Sequence, residues 1–446
     1  MNNFLETILK YKKHCVDLIV LSIPLIIGNL GQILIGATDV FVGAKYNINT
    51  LAAISIANSI VFSIFIIGIG FLASISIVLA NYRGSRLRTK KYFEASLSFS
   101  MILAAIFCAL TLSTIPFIDN VGFEPILVPL IKEYIFITSF SFFGIYLFQA
   151  IKEFLQAHEI VNFPNFVLVM AVLVNLVLDF ALVFGLGPFP SMGTKGLAIA
   201  TLLTRTFMGI SLLIYCVKLV KFREILHYEY LKQLLKIGYP IGIALMLEFL
   251  AFNIITFSIG RTAGILAATH NIITTISSAT FMIPLAISNA IAIKVGFFNG
   301  AKDYNEVKAY SITGLAMSSL FMVMCSMLLL LFPSEIIKLF TDNKQILYIG
   351  IPIMYIAAAF QVVDGFQVSA SGILKGLKKT KIVSLSILAG YWLLGLPLGF
   401  TLAYKYNYLL KGFWIGLAVS LFIVGIFQAI IIWNELKRVK LEYANK

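Results

Sequence analysis

Several oxygen-bearing side chains stand inside otherwise apolar stretches. They are Asp39 in IGATDVFVG, Asn175 and Asp179 in VNLVLDFALVFG, Glu248 in GIALMLEFLAF and Asp364 in FQVVDGFQVSASGILKGLKKTK. An ionised side chain near a bilayer centre costs at least ~2.5–3.5 kcal/mol, so such a group is neutralised, paired or turned toward a wet cavity. Asn175 and Asp179 are four apart and share one helical face. Together they can hold a proton or a small hard cation, since oxygen ligands suit hard ions. Asp39 lies beyond Pro24 by roughly 22 Å of helix, in the outer half of its span, where an interface role competes because the desolvation cost falls toward the headgroups. Glu248 follows Pro240 near the middle of its span, with apolar neighbours on both sides. Asp364 precedes the lysines Lys375, Lys378, Lys379 and Lys381, and its plain structural role would be a hydrogen bond to Gln361 or Gln367. Acids that take up and release H⁺ or Na⁺ change the charge buried among the helices, which gives an ion gradient a handle on conformation.

The elements that must position these groups are membrane spans. The chain is 60% hydrophobic and 12% charged, with a mean hydropathy of +0.96, against roughly 25% charged residues in a soluble domain. Apolar windows long enough to cross a bilayer recur, and they predict an all-α polytopic membrane protein of about twelve transmembrane helices. The windows fall near 16–42, 52–80, 93–116, 126–151, 163–186, 196–218, 236–259, 264–293, 309–332, 346–373, 381–404 and 410–434. The net charge of +14 does not point to nucleic acid. Alternate loops carry about 25 of the 34 Lys and Arg and the opposite loops about 8, which is a topology signal. The rich set includes Lys10, Lys12, Lys13, the cluster Arg83–Lys91, Lys218, Lys221, Arg223, Lys437, Arg438 and Lys440. Both termini are expected to be cytoplasmic, with the inner leaflet attracting the excess charge. The first apolar segment follows a short basic stretch but is too long for a signal peptide, so it is read as a retained helix.

The spans repeat. LIVLSIPLIIGNLGQ around Pro24 lies over LLKIGYPIGIALMLE around Pro240, ANYRGSRLRTKKYFEAS over VGFFNGAKDYNEVKAYS with Gly84 opposite Gly300, and Phe148-Gln149 over Phe366-Gln367. One order at nearly one offset is the mark of an internal duplication. The expected organisation is two pseudo-symmetric six-helix lobes, residues 1–218 and 236–446, joined by a short basic cytoplasmic linker at 219–235. A two-lobed transporter with its sites near the lobe interface suits that pattern. Pro24, Pro240, Pro284, Pro352 and Pro397 lie within spans, where each removes a backbone donor and bends or breaks its helix. Pro24 and Pro240 are the candidate hinges.

Other residues carry weaker signals. Phe41, Phe252, Phe281, Phe360 and Phe366 could wall an apolar pocket whose ring faces attract organic cations, or simply pack against lipid and neighbouring helices. His270 and Asn271 could line a path, though a lone histidine on an apolar helix is more often held structurally. Arg205 either pairs with an acid or reaches a helix end. Cys15, Cys108, Cys216 and Cys325 show no metal spacing and read as buried small apolar side chains. The sequence holds no GxxxxGK[ST] loop for powering transport by ATP and neither HExxH nor GxSxG, so no enzyme and no cofactor are expected.

Pro24 and Asp39 in the first span, Glu248 in the seventh and DGFQVSASGILKGLKKTK in the tenth together resemble the multidrug and toxic compound extrusion (MATE) family. The resemblance runs from about residue 15 to 435, with TDVFVG, NLVLDFALVFG followed by GLAIATLL, LEF, TFMIPLAISNAIAIKVGFFNGA and QVVDGFQVSASGILKGLKKTK as its specific pieces. The pairing of acids in spans seven and ten resembles the NorM-like branch. The resemblance implies that Asp39, Asn175, Asp179 and Thr201 form a first-half ion and gating site, and that Glu248 and Asp364 form a second-half cation site that could hold Na⁺. Phe360 stands where some NorM-like members have a tyrosine, which removes a hydroxyl ligand.

The expectation is an inner-membrane antiporter, working as a monomer among membrane lipids, that exports small amphipathic, cationic compounds in exchange for Na⁺ or H⁺. The alternative is a lipid-linked oligosaccharide flippase of the same wider fold, which would line its cavity with basic groups for pyrophosphate. The major facilitator superfamily fits less well, because NYRGSR lacks the acid of its Gly-x-x-x-Asp-Arg loop. A scaffold or receptor without transport would leave the buried acids and the repeat unexplained.

Overall fold

The computed structural model describes residues 2–220 and 226–444, and side chains over 11–220 and 226–437. Lys10, Lys221, Arg223, Arg438 and Lys440 of the basic set, and part of the 219–235 connection, lie outside the described side chains. Among the described residues, twelve helices are long and apolar enough to cross a membrane. They are α1 (Tyr11–Tyr46), α2 (Ile48–Gly84), α3 (Thr89–Asn120), α4 (Leu127–Ala157), α5 (Asn162–Phe184), α6 (Thr194–Tyr215), α7 (Tyr228–Gly260), α8 (Gly264–Ala301), α9 (Tyr304–Leu331), α10 (Lys344–Gly376), α11 (Thr380–Lys405) and α12 (Leu409–Lys437). The chain is a multi-pass membrane protein. Without water, every backbone N–H and C=O must be satisfied inside the segment, and the helix does this locally.

Most helices outrun the apolar windows that foretold them, because polar capping residues rather than hydropathy decide where they begin and end. Asn47 starts α2 by accepting a hydrogen bond from the Thr50 amide at 2.6 Å, and Asp303 starts α9 by accepting from the Glu306 amide at 3.1 Å. Asn343 caps α10 through the amides of Gln345 and Ile346. At the other end of α5, Gly185 takes the left-handed conformation that closes a helix. The short helix Pro333–Lys338 lies between α9 and α10.

None of the internal prolines ends its helix. Pro24, Pro240, Pro284 and Pro352 sit inside continuous α-helices. At the fifth, α11 widens its winding, with π-helical segments at Leu388–Gly395 and Thr401–Lys405 on either side of the turn that holds Pro397. A wider turn relieves the clash that proline makes with the preceding carbonyl, and it also re-aims the side chains it carries.

Contacts divide the chain into two compact units. One holds the residues up to Ile26, the segment Ala80–Arg86 and the chain from Ile243 on; the other holds Ile27–Leu79 and Leu87–Gly242. The boundaries in α1 and α7 thus fall two residues past Pro24 and two past Pro240. Packing repeats within them. In one unit α4 lies against α2, α3 and α6 while α5 covers α6; in the other α10 lies against α8, α9 and α12 while α11 covers α12.

In the unit that contains α8, the last turns of α2 cross the end of α8 at the two glycines that the repeat aligns. A Cβ on Gly84 would stand 1.8 Å from the Phe297 carbonyl oxygen, and one on Gly300 would stand 1.9 Å from that of Asn81. Asn81 locks the crossing, donating to the Gly376 carbonyl at 3.1 Å and accepting from the Asn299 amide at 2.8 Å. The Arg83 guanidinium lies 4.9 Å from the Phe297 ring centroid. Backbone cannot retreat as a flexible side chain can, so Gly84→Ala or Gly300→Ala should each destabilise the protein by about 1–3 kcal/mol. Thermal unfolding in detergent checks this. Gly36→Ala, where the new methyl would meet nothing within 4 Å, should unfold no earlier than the wild type.

Candidate functional site

The first cluster lies wholly within the unit that contains α4. Thr38 and Asp39 come from α1, Asn175 and Asp179 from one face of α5, and Thr201 and Arg205 from α6. Asp39, Asn175, Asp179 and Thr201 are all buried. The Asn175 amide nitrogen donates to Asp39 Oδ1 at 3.3 Å and faces Asp179 Oδ1 at 3.5 Å. The Thr201 hydroxyl donates to Asp39 Oδ2 at 3.0 Å. On its other side Asn175 Oδ1 meets the Thr38 hydroxyl, which also reaches the Ile35 carbonyl. The two carboxyls are close enough to interact directly, and Asp179 Oδ2 has no hydrogen-bond partner among the described residues. Two acids so placed, ringed by neutral oxygens, can share one proton or one small cation.

Arg205 makes no close ion pair with either acid. Its guanidinium donates to the Ser141 hydroxyl at 2.8 Å and lies 5.3 Å from the Phe65 ring centroid, near enough for its charge to act on Asp39. It is therefore a fixed positive charge beside the cluster rather than a group reaching for the helix end.

The second cluster belongs to the other unit and opens on a cavity of about 340 Å³. Glu248, Phe252 and Thr256 face it from α7, Thr274, Ser277 and Phe281 from α8, Phe360 and Asp364 from α10, and Tyr391 from α11. The spacings of four residues in α7 and α10 put acid and phenylalanine on one face. Asp364 is buried, Glu248 half-buried, and each lies within electrostatic reach of the other. The Tyr391 side chain lines the same cavity wall as the Glu248 carboxyl, near enough to act on it, and the charge of the Lys375 ammonium also reaches Glu248. Next to Tyr391, the Trp392 indole donates to the Leu247 carbonyl at 3.0 Å, which ties α11 to α7 beside the acid. Both aromatic residues lie in the π-helical segment of α11.

The sequence missed Tyr391 and Thr38. Nothing in the spacing links Tyr391 to an acid so far away along the chain, though a phenol inside a glycine-flanked apolar run is a visible signal; Thr38 could have been found from its adjacency to Asp39. Phe360 has no hydroxyl to offer, but Tyr391 brings one to the lining of the same cavity from another helix. Gln361 and Gln367 do not hold Asp364 in place. The Gln361 amide has no partner among the described residues, and Gln367 donates to Ser371 Oγ at 3.0 Å. His270 is fully buried with neither ring nitrogen hydrogen-bonded among the described residues, its ring 5.9 Å from that of Trp414. The structural role expected for it is thus packing alone.

Of the five phenylalanines, Phe252, Phe281 and Phe360 wall the acidic cavity. Phe366 lines a different one with Trp433 and Lys437. Phe41 lies in the other unit, half exposed, with the Lys45 ammonium 4.6 Å from its ring centroid. Pro24 and Pro240 are within α1 and α7, away from either cluster along the chain. Among the described residues no three His, Cys, Asp or Glu gather as a transition-metal site would require.

The family model described as MatE matches residues 24–181 and again 240–401. The chain belongs to the MatE family. Each matched segment opens at one of the paired prolines, so the family model itself registers the duplication. The multidrug resistance protein NorM of Photobacterium profundum is 28% identical over 435 residues, covering 94% of this chain and 95% of its own. NorM of Burkholderia vietnamiensis is 30% identical over 435 residues, 94% and 93% of the two chains. Among solved structures, a MATE protein in the bent conformation superposes with a TM-score of 0.88 at 20% identity, covering 96% of each chain. The eukaryotic MATE transporter AtDTX14 superposes at 0.84 with 16% identity, covering 97% of this chain and 99% of its own. These likenesses establish the MATE fold.

In the first cluster Asn175 serves three neighbours at once. Asn175→Leu should therefore take an amide donor from two buried carboxyls and cost about 1–3 kcal/mol of stability, read as an earlier thermal transition in detergent. Unchanged unfolding would mean that the cluster does not depend on its amide.

Proposed function

We propose that this MATE-family chain is a secondary antiporter that exports small amphipathic, cationic compounds, drugs or toxins among them, in exchange for Na⁺ or H⁺. The observation that carries the reading is the meeting of Glu248, Asp364 and the Tyr391 hydroxyl in a cavity walled by phenylalanines. Aromatic faces and carboxylates both attract an organic cation, and the same carboxylates bind the inorganic cation that competes with it. NorM relatives bearing the description of multidrug resistance proteins support that substrate class. Acidic rather than basic polar groups in the cavity weigh against a pyrophosphate-linked sugar, so the flippase alternative is the weaker one.

The proposed cycle is alternating access by two lobes, 1–218 and 236–446, with Pro24 and Pro240 as hinge positions. A coupling ion entering from outside neutralises Glu248 and Asp364, lowers their affinity for the organic cation and releases it. Loss of the ion to the cytoplasm restores the charge and the affinity there. Ligands shift such an equilibrium only by binding its states unequally, so the acids must differ in environment between them. The cluster of Asp39, Asn175, Asp179 and Thr201 is proposed as a second ion and gating site. The protein works as a monomer in the inner membrane with both termini cytoplasmic, in keeping with its basic loops.

Ethidium efflux from proteoliposomes, with a Na⁺ gradient or a pH gradient imposed separately, tests this. One gradient should drive efflux, and Glu248→Gln or Asp364→Asn should reduce it at least ~10-fold while each variant still unfolds cooperatively. Efflux that survives in both variants removes the pair from the mechanism. Where Na⁺ is the driving ion, Tyr391→Phe should raise the half-saturating Na⁺ concentration roughly 3- to 10-fold, the worth of one hydrogen bond, with maximal efflux retained. An unchanged half-saturation would leave Tyr391 as a wall residue only.

A further inference from the structure

A second cavity, of about 350 Å³, lies between α9 and α12 with Phe366 of α10 against it. It shares no residue with the acidic cavity. The residues on α9 are Tyr304, Lys308, Ser311, Ile312 and Leu315, and those on α12 run from Ala429 through Ile432, Trp433 and Leu436 to Lys437. On each helix they recur every three or four residues, one continuous stripe per helix. The polarity along the stripes is graded. Tyr304, Lys308, Trp433 and Lys437 stand at one end, while Leu315, Phe366 and Ala429 stand at the other, roughly 10–12 Å deeper at 1.5 Å per residue.

Both lysines are exposed, and the acids near them along the chain are held by other bases. Glu435 pairs with Lys379 at 3.0 Å, and Glu306 meets His14 at 2.6 Å. Lys437 lies 4.9 Å from the Trp433 ring centroid, which sets its ammonium at the mouth of the slot. Tyrosine and tryptophan are the side chains that settle at the level of lipid headgroups, and basic pockets between membrane helices suit anionic headgroups.

We propose that this slot is a binding site for an anionic phospholipid. Its phosphodiester lies between Lys308 and Lys437, Tyr304 and Trp433 flank the glycerol region, and one acyl chain runs down the apolar stripe toward Leu315, Phe366 and Ala429. An inorganic phosphate would satisfy the lysines but leave the stripe unused, whereas a zwitterionic lipid would fill the stripe but bring a second positive charge to the lysines. Only the anionic lipid answers both ends of the slot.

The test uses the full chain purified in detergent and delipidated, with thermal unfolding followed as phosphatidylglycerol, phosphatidylcholine or inorganic phosphate is added. Phosphatidylglycerol should raise the transition by several degrees at concentrations where the other two do not. The double variant Lys308→Gln, Lys437→Gln should need at least ~10-fold more of it. Lys338→Gln, which removes one positive charge from an exposed site on the short helix Pro333–Lys338, should respond as wild type. Ala429→Phe, which fills the deep end, should also lose the response. An equal effect of phosphatidylcholine or of phosphate overturns the proposal, as does a wild-type response in the double variant or in Ala429→Phe, or a Lys338→Gln response as weak as the double variant's.

Discussion

A carboxyl group taken out of water must keep a proton, meet a cation or gather hydrogen-bond donors, and a bilayer offers none of these on its own. The helices that carry Asp39, Asp179, Glu248 and Asp364 have to bring the missing partners with them. In the first cluster they are neutral, an amide and a hydroxyl on two different helices, set so that Asn175 and Thr201 divide the oxygens of Asp39 between them. In the second a phenol lines the same cavity and an ammonium acts on Glu248 by its charge, with the remainder left to whatever enters the cavity. The first arrangement is nearly closed by protein atoms and the second is open, which is why a stability measurement addresses one and a transport measurement the other.

The two clusters share a plan despite their different chemistry. In each case an acid on the first helix of a six-helix set stands by a polar group on the fifth, Asp39 hydrogen-bonded by Asn175 of α5 and Glu248 lining one cavity with Tyr391 of α11. The acids themselves do not occupy matching places, for with Pro24 laid over Pro240 Glu248 falls opposite Gln32 and Asp39 opposite Ile255. The π-helical winding around Tyr391 belongs to the same account, since a wider turn turns the phenol and the neighbouring indole toward α7. Winding of this kind has a cost in backbone geometry, and it recurs where a side chain has to be aimed.

Much of this was written in the sequence because membrane insertion is severe. Apolar windows gave all twelve helices, and a charged residue inside one is conspicuous, so Asp39, Asp179, Glu248 and Asp364 stood out without any structure. Gly84 and Gly300 were legible as a matched pair, though not that each would sit on the other helix's backbone. What did not show were the partners. Tyr391 and Thr38 are ordinary residues in apolar runs, and their roles come from contacts across helices that no local period encodes. Lys375 read only as one of the lysines that follow Asp364, yet its charge acts on Glu248. Phe366 and Phe41 looked like Phe252 and Phe281, and only the direction each helix face takes separates them. The capping asparagines and aspartate explain why helix ends lie beyond the hydropathy edges, because a cap is a single hydrogen bond and hydropathy averages over many residues.

The division of contacts just past Pro24 and Pro240 bears on how the chain is made. Synthesis runs from the amino terminus at roughly 5–20 residues per second. The unit built on α4 needs nothing later than Gly242, so it can complete soon after the midpoint of translation. The unit built on α10 takes in the beginning of α1 and the segment Ala80–Arg86 but cannot begin to pack until residues beyond Ile243 emerge. The start of α1 therefore waits in the bilayer for on the order of ten to forty seconds at that rate before its partners exist. During that interval its buried residues, Leu18, Leu21 and Leu25, face lipid instead of protein. The leucines lose nothing by the delay, but His14 and Asp17 in the same stretch wait for Glu306 and Tyr310, their hydrogen-bond partners on α9.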